Sequence, residues 1–202
     1  MNLNCIIADD TEIAEDECLI LWASSRVEGN TQKSIKILSK DKSTHTINLS
    51  AQKFGFYDYE SKNKNDDFLN ISEKMLKAKI IVFATPVYWY AMCSQMKIFF
   101  DRLSDLITIR KKDGRALAGK SIYLLANGAD ETLPLGFEIP FQKTSKYFDM
   151  SYKGSHYLHT GSNSTLKKLS WDELGDFSQK IFSSISANSA VPTRALREAL
   201  EE

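Results

Sequence analysis

Two segments of the chain carry residue types that could do chemistry. The first, Ala23-Ser24-Ser25-Arg26-Val27-Glu28-Gly29-Asn30-Thr31, joins an apolar run to a helical pattern. A turn in that place can aim backbone N–H groups and the Ser24, Asn30 and Thr31 side chains at an anion, with the positive end of the next helix behind them. Arg26 is the loop's one cation and can bind an anion bidentately. The same residues also suit an ordinary strand-to-helix turn with Asn30 or Thr31 as the cap. The second segment is Thr85-Pro86-Val87-Tyr88-Trp89-Tyr90-Ala91-Met92. Its three successive aromatics are costly to expose and cannot all face one core. A flat aromatic ligand suits them, and so does a hydrophobic lid or a subunit contact.

Other polar residues are read more plainly. His45, His156 and His159 have no carboxylate or cysteine at ligand spacing and are assigned no role. Asp101 and Arg102, adjacent on a helical stretch, are expected to tie that helix to neighbouring backbone or to a partner subunit rather than to act in a site. No side chain is assigned a catalytic acid or base role, and no metal site is expected.

These loops need a scaffold, and the hydrophobic pattern supplies one. Five short apolar or β-branched runs read as strands: Cys18 to Ala23, Thr44 to Leu49, Lys79 to Ala84, Ser121 to Asn127 and Ser155 to His159. Between them the period becomes helical. Met96, Phe99, Phe100, Leu103 and Leu106 make one stripe over Ser94 to Leu106, and Phe68, Leu69, Met75 and Leu76 a weaker one. Thr31 to Lys40 and Phe137 to Phe148 are further helices, the latter with Pro140 in its first turn. Ser170 and Glu173 have capping-box spacing, so one last helix is expected from about Ser170 to Ser186, with Leu174, Phe177, Ile181 and Ile185 as its face. Strands alternating with helices mean an α/β protein with a mainly parallel sheet. The two loops follow the first and third strands, whose junction is the switch point of a 2-1-3-4-5 sheet.

Composition narrows the class. The 202 residues are 43% hydrophobic, enough for a real core, and 26 basic residues balance 26 acidic ones. That balance points to neither nucleic acid nor an anionic membrane and leans away from an acidic electron carrier. Cys5, Cys18 and Cys93 are widely spaced, with no C-x-x-C pair, which suits a reducing compartment. The start is acidic, with Arg26 the first basic residue, and the longest uncharged run, Ile80 to Met96, is too short and polar to span a bilayer. A cytoplasmic protein without membrane insertion is expected.

Ser24-Ser25-Arg26 with Gly29-Asn30-Thr31, then Ala84-Thr85-Pro86-Val87-Tyr88-Trp89 and Gln95-Met96-Lys97 through Phe100-Asp101-Arg102-Leu103, resembles the flavodoxin-like NAD(P)H-dependent FMN reductase family over roughly residues 18 to 160. The second motif is the more specific. The resemblance implies a flavodoxin-like three-layer α/β sandwich: a five-stranded parallel sheet in the order 2-1-3-4-5 with helices on both faces. Residues 18–186 are read as the FMN-binding domain, and the flanking 1–17 extension and 187–202 tail as appendages, the latter restarting a helical pattern (Ala195, Leu196, Ala199, Leu200) after Pro192. The resemblance also implies non-covalent FMN, NADPH or NADH as co-substrate, a small-molecule electron acceptor (quinone, flavin, nitro or azo compound, or metal ion), and a homo-oligomer, dimer or tetramer. Ser24, Arg26, Gly29, Asn30 and Thr31 would form the phosphate loop. Pro86, Val87, Tyr88 and Trp89 would line the isoalloxazine, and Asn127 and Gly128 would approach its other side. The stretch from Ser50 to Asn65 carries no family motif and is expected to be a mobile flap. A flavodoxin-like electron carrier or flavin-binding module is the alternative. A more distant one is a response-regulator receiver domain, which Cys5-Ile6-Ile7-Ala8-Asp9-Asp10 resembles at its start, with Asp58, Thr85 and Lys112 downstream; it would need helix between Glu12 and Arg26.

Overall fold

The computed structural model describes residues 18–188, so the expectations for the 1–17 extension and for the tail beyond Asn188 lie outside it. Five strands are parallel: β1 (Cys18–Trp22), β2 (Thr44–Asn48), β3 (Ile80–Tyr88), β5 (Ser121–Gly128) and β6 (Ser151–His159). They lie in the order β2-β1-β3-β5-β6, and the short β4 (Ala91–Met92) pairs antiparallel with the end of β3. The expected order therefore stands, with six strands in place of five. The central strands are apolar throughout because both faces are covered. Leu19, Leu21, Ile81, Phe83, Ile122 and Leu124 enter one core, while Cys18, Ile20, Trp22, Val82, Tyr123 and Leu125 enter the other.

Helices fill both outer layers. They are α1 (Asn30–Leu38), α2 (Phe68–Lys77), α3 (Ser94–Arg102), α4 (Asp105–Thr108), α5 (Lys111–Ala116), α6 (Ile139–Tyr147), α7 (Ser164–Asp172) and α8 (Leu174–Asn188). Ser178 Oγ donates to Leu38 O at 2.7 Å, joining α8 to α1 over one face.

Three expectations change. The Ser94 helix stops at Arg102, where Leu103 N and Ser104 N bond only three residues back, to Phe100 O and Asp101 O, and the last turn tightens. The last helix is two helices. α7 starts at Ser164, where the Asn163 side chain accepts from Leu166 N at 3.1 Å, and Ser170 lies inside α7 rather than capping anything. Ser170 Oγ instead donates to Lys167 O at 3.1 Å and accepts from His159 N. Leu174, Phe177 and Ile181 do form the buried face of α8. The receiver reading falls as well, since β1 occupies residues that it would need as helix and is hydrogen-bonded between β2 and β3.

Candidate functional site at the strand switch point

β2 lies beyond β1 and β5 beyond β3, so the loops leaving β1 and β3 part from each other and open a crevice at their carboxyl ends. Ala23 N donates to Ala84 O at 3.1 Å, which fixes the exit of β1 against β3. The chain then turns sharply: Arg26 N donates to Ser24 Oγ at 3.4 Å, and a Cβ on Gly29 would stand 3.3 Å from Arg26 Cβ and 3.4 Å from Arg26 O. A side chain at that position would press on Arg26, which glycine avoids. Gly29 is itself the N-cap, without side-chain capping, so the expected Asn30 or Thr31 cap is not formed. Asn30 and Thr31 are the first helical residues, and Lys33 N is the first to reach an intrahelical acceptor, Gly29 O at 3.1 Å. The N–H groups of Asn30, Thr31 and Gln32 thus open the helix without helical partners. Arg26 is exposed beside them, and Thr31 is buried with its hydroxyl donating to Asn127 Oδ1 at 2.7 Å. This bond spans the switch point, from the first loop to the end of β5.

The aromatic segment is a hairpin. Tyr88 pairs with Ala91, so Trp89 and Tyr90 alone make the turn, at φ 49° and 64°. A two-residue turn with both φ positive is type I′, normally made by Asn and Gly. Here two bulky residues occupy left-handed backbone at a cost of about 1–2 kcal/mol each. Trp89 is 92% exposed and Tyr90 69%. Pro86 is buried opposite Asn127 in the ladder, and Val87 is half-buried. The return strand is tied inward where Cys93 N donates to Thr85 Oγ1 at 3.2 Å. Across the crevice, a Cβ on Gly128 would stand 2.7 Å from the Tyr157 hydroxyl and 3.2 Å from Val87 Cβ. Thus the structure brings all eleven expected residues to one end of the sheet. The hairpin, and Tyr157 beside Gly128, were missed from sequence; Trp-Tyr carries no turn signal, and Tyr157 reads as one more strand residue.

The other singled-out residues lie apart. Asp101 pairs with Lys97 at 2.5 Å on the surface of α3. Arg102, 1% exposed, donates to Gly55 O, Asn63 O, Asp66 and Asp105, so it does tie its helix to neighbouring backbone. Burial alone would raise the Asp66 carboxyl, but hydrogen bonds from Arg102 and from the Gly55 and Phe68 N–H groups outweigh it and hold it below the usual carboxylate range. The 50–65 stretch is therefore anchored at Gly55 and Asn63, with Phe56 and Tyr59 exposed between them. Burial pushes the Cys18 thiol up to about 12, so it stays protonated in β1. His156 bonds Ser170 O and His159 bonds Asp130 O; among the described residues no group of three metal-ligating side chains occurs. A cavity of about 300 Å3 opens beside β2, over Trp22, Ile35, Ile47 and Ile71, and includes no residue of either loop. The chemistry of the two loops, rather than cavity size, marks the site.

Those loops fit FMN. Helix-opening N–H groups and Arg26 suit a phosphate, and the hairpin offers flat aromatic surface for a ring. A putative NAD(P)H-dependent FMN-containing oxidoreductase of Bacillus subtilis, YwqN, is 32% identical over 97 residues, covering 44% of this chain. The match spans about half, 51%, of that curated relative's length. Among solved structures, the Trp repressor binding protein from Bacillus subtilis superposes with a TM-score of 0.63 at 21% identity, covering 79% of this chain and 95% of that one. RosB, solved with bound 8-demethyl-8-formylriboflavin-5'-phosphate, gives 0.67 at 17% identity, covering 92% and 86%. At such identities the structures speak for the fold. The family model of the NADPH-dependent FMN reductases matches residues 17–135, more than half of the chain, and so the chain belongs to the NADPH-dependent FMN reductase family.

Proposed function

We propose that the protein is an FMN-dependent oxidoreductase that takes hydride from NAD(P)H and reduces a small acceptor. The observation that carries this reading is the meeting, at one switch point, of an unpartnered helix start beside Arg26 and an exposed, strained aromatic hairpin. Bound FMN supplies the hydride and electron chemistry. The chain's own work is placement. Arg26, Ser24 and the N–H groups of Asn30 and Thr31 hold the phosphate, with Gly29 keeping the turn tight. Thr31 acts through its backbone, because its hydroxyl proton is used on Asn127. Pro86, Val87, Tyr88 and Trp89 line one side of the ring site, and Asn127 and Gly128 the other. No side chain at the site would need to titrate, since the chain's contribution to a hydride transfer would be distance and orientation, which the two loops would set.

The acceptor is of the quinone, flavin, nitro, azo or metal-ion class, and shares the open face of the site with the nicotinamide. We read residues 18–186 as the flavin domain and the protein as a cytoplasmic homo-oligomer; among the described residues, no helix is long and apolar enough to cross a membrane. The test is anaerobic stopped-flow. FMN-loaded protein mixed with NADPH or NADH should lose its flavin absorbance before any acceptor is added. Failure of both nucleotides to reduce it would leave a flavin carrier in place of an enzyme.

A further inference from the structure

The carbonyl groups of Gly128, the last residue of β5, and of Ala129 and Asp130 after it all turn toward the end of β6. Gly128 O accepts from Thr160 N at 2.8 Å and from Thr160 Oγ1 at 2.9 Å. Ala129 O lies against Gly161, where an added Cβ would stand 2.4 Å from it. Asp130 O accepts twice, from the Tyr157 hydroxyl at 2.9 Å and from His159 Nδ1 at 2.8 Å. A trans peptide points its N–H opposite to its C=O, and there is no cis peptide here. The N–H groups of Ala129, Asp130 and Glu131 therefore face away from β6, and none has a hydrogen-bond partner among the described residues. On the far side of β5 from β6 lies β3, with the aromatic hairpin at its end. Successive free N–H groups make a donor set that holds an electron-rich edge.

We propose that Tyr157 and His159 are positioning residues that clamp Asp130 O, so that the N–H groups of residues 129–131 stay aimed at the polar edge of the flavin ring. The inference rests on the flavin reading above. Three features make the clamp specific. A carbonyl oxygen can only accept, so His159 carries its proton on Nδ1; its buried Nε2 has no partner among the described residues. Burial, with Asp130 nearby, pushes the Tyr157 phenol up to about 12, so it remains a donor throughout the neutral range. Gly128 leaves the room that the Tyr157 hydroxyl occupies. These residues act through Asp130 and need touch neither flavin nor nicotinamide.

The full chain and its Tyr157→Phe, His159→Ala, His159→Asn and Arg26→Ala variants are titrated with FMN and with riboflavin by fluorescence quenching, and the bound spectra recorded. Tyr157→Phe and His159→Ala should each weaken both ligands by the same factor, about fivefold, and shift the long-wavelength flavin band. Asn at 159, whose Nδ2 takes the place of Nδ1, should return both to within about twofold of wild type. Arg26→Ala should weaken FMN and spare riboflavin, which lacks the phosphate. Folded variants with wild-type affinity and spectrum overturn the clamp and leave the flavin reading standing; a wild-type chain that takes up neither ligand overturns both. Nitrogen-15 NMR of the flavin-free protein tests the clamp without any ligand: a proton on Nε2 of His159 instead of Nδ1 overturns it. Should His159→Ala fail to fold, Tyr157→Phe and the nitrogen spectrum decide.

Discussion

In the proposed flavin site, Arg26 is the residue on which phosphate recognition would turn, because it is exposed beside helix N–H groups without a helical acceptor. Arg26→Ala should weaken FMN by about tenfold, the worth of one charge-assisted contact, as read by fluorescence titration. Thr31→Val removes the proton that Asn127 accepts while keeping the backbone N–H, so it should loosen the junction between loop and β5 and weaken FMN less than Arg26→Ala does. Unchanged FMN affinity in a folded Arg26→Ala protein would remove the phosphate from this loop. Residue types at fixed spacing made both loops legible in the sequence. The role of His159 was not legible for a physical reason. Spacing rules look for side-chain ligands, whereas His159 bonds a backbone carbonyl twenty-nine residues away.

Elements were legible where periodicity was strong and failed where backbone strain or a lone buried charge set the path. The five parallel strands follow from their apolar runs. β4 could not, because its turn places Trp89 and Tyr90 in left-handed backbone, which only the surrounding structure makes tolerable. Trp89→Gly relieves about 1–2 kcal/mol of strain and costs about 0.5–1 kcal/mol in unfolded-chain entropy. It should therefore raise the Tm slightly while lowering FMN affinity and turnover; a lower Tm would mean that the indole is packed, not displayed. Arg102 is the second such case, joining α3 to the 50–65 stretch through Asp66. Because the Asp66 carboxyl is held low in the folded state, the stability it adds is present above its ordinary range and is lost as pH falls through the lowered folded value. Asp66→Asn should flatten that acid limb in denaturant titrations between about pH 5 and pH 2. Arg102→Leu strands two carboxylates and should cost about 3–5 kcal/mol at neutral pH. An acid limb as steep in Asp66→Asn as in wild type would place the coupling elsewhere.

At the scale of the molecule, several large apolar and aromatic side chains among the described residues stand in solvent. Phe56, Tyr59, Trp89, Tyr90, Leu135 and Ile139 are all exposed, although the sheet behind them is sealed on both faces. Burying one such side chain is worth about 1.5–3 kcal/mol, so an assembly that covered several on each chain would gain free energy of the same order as the cost of pairing two chains. A C2 dimer is the simplest closed form, because it uses one patch against its own copy and leaves no open edge. In such a dimer the exposed hairpin rings of one subunit would be covered by the other. Light scattering at micromolar concentration should therefore give twice 22.9 kDa, and Trp89→Ala together with Tyr90→Ala should move the mass toward the monomer. A wild-type mass of 22.9 kDa would refute the dimer. A dimer unaffected by the double substitution would place the interface away from the hairpin, leaving Trp89 and Tyr90 to the flavin and its acceptor alone.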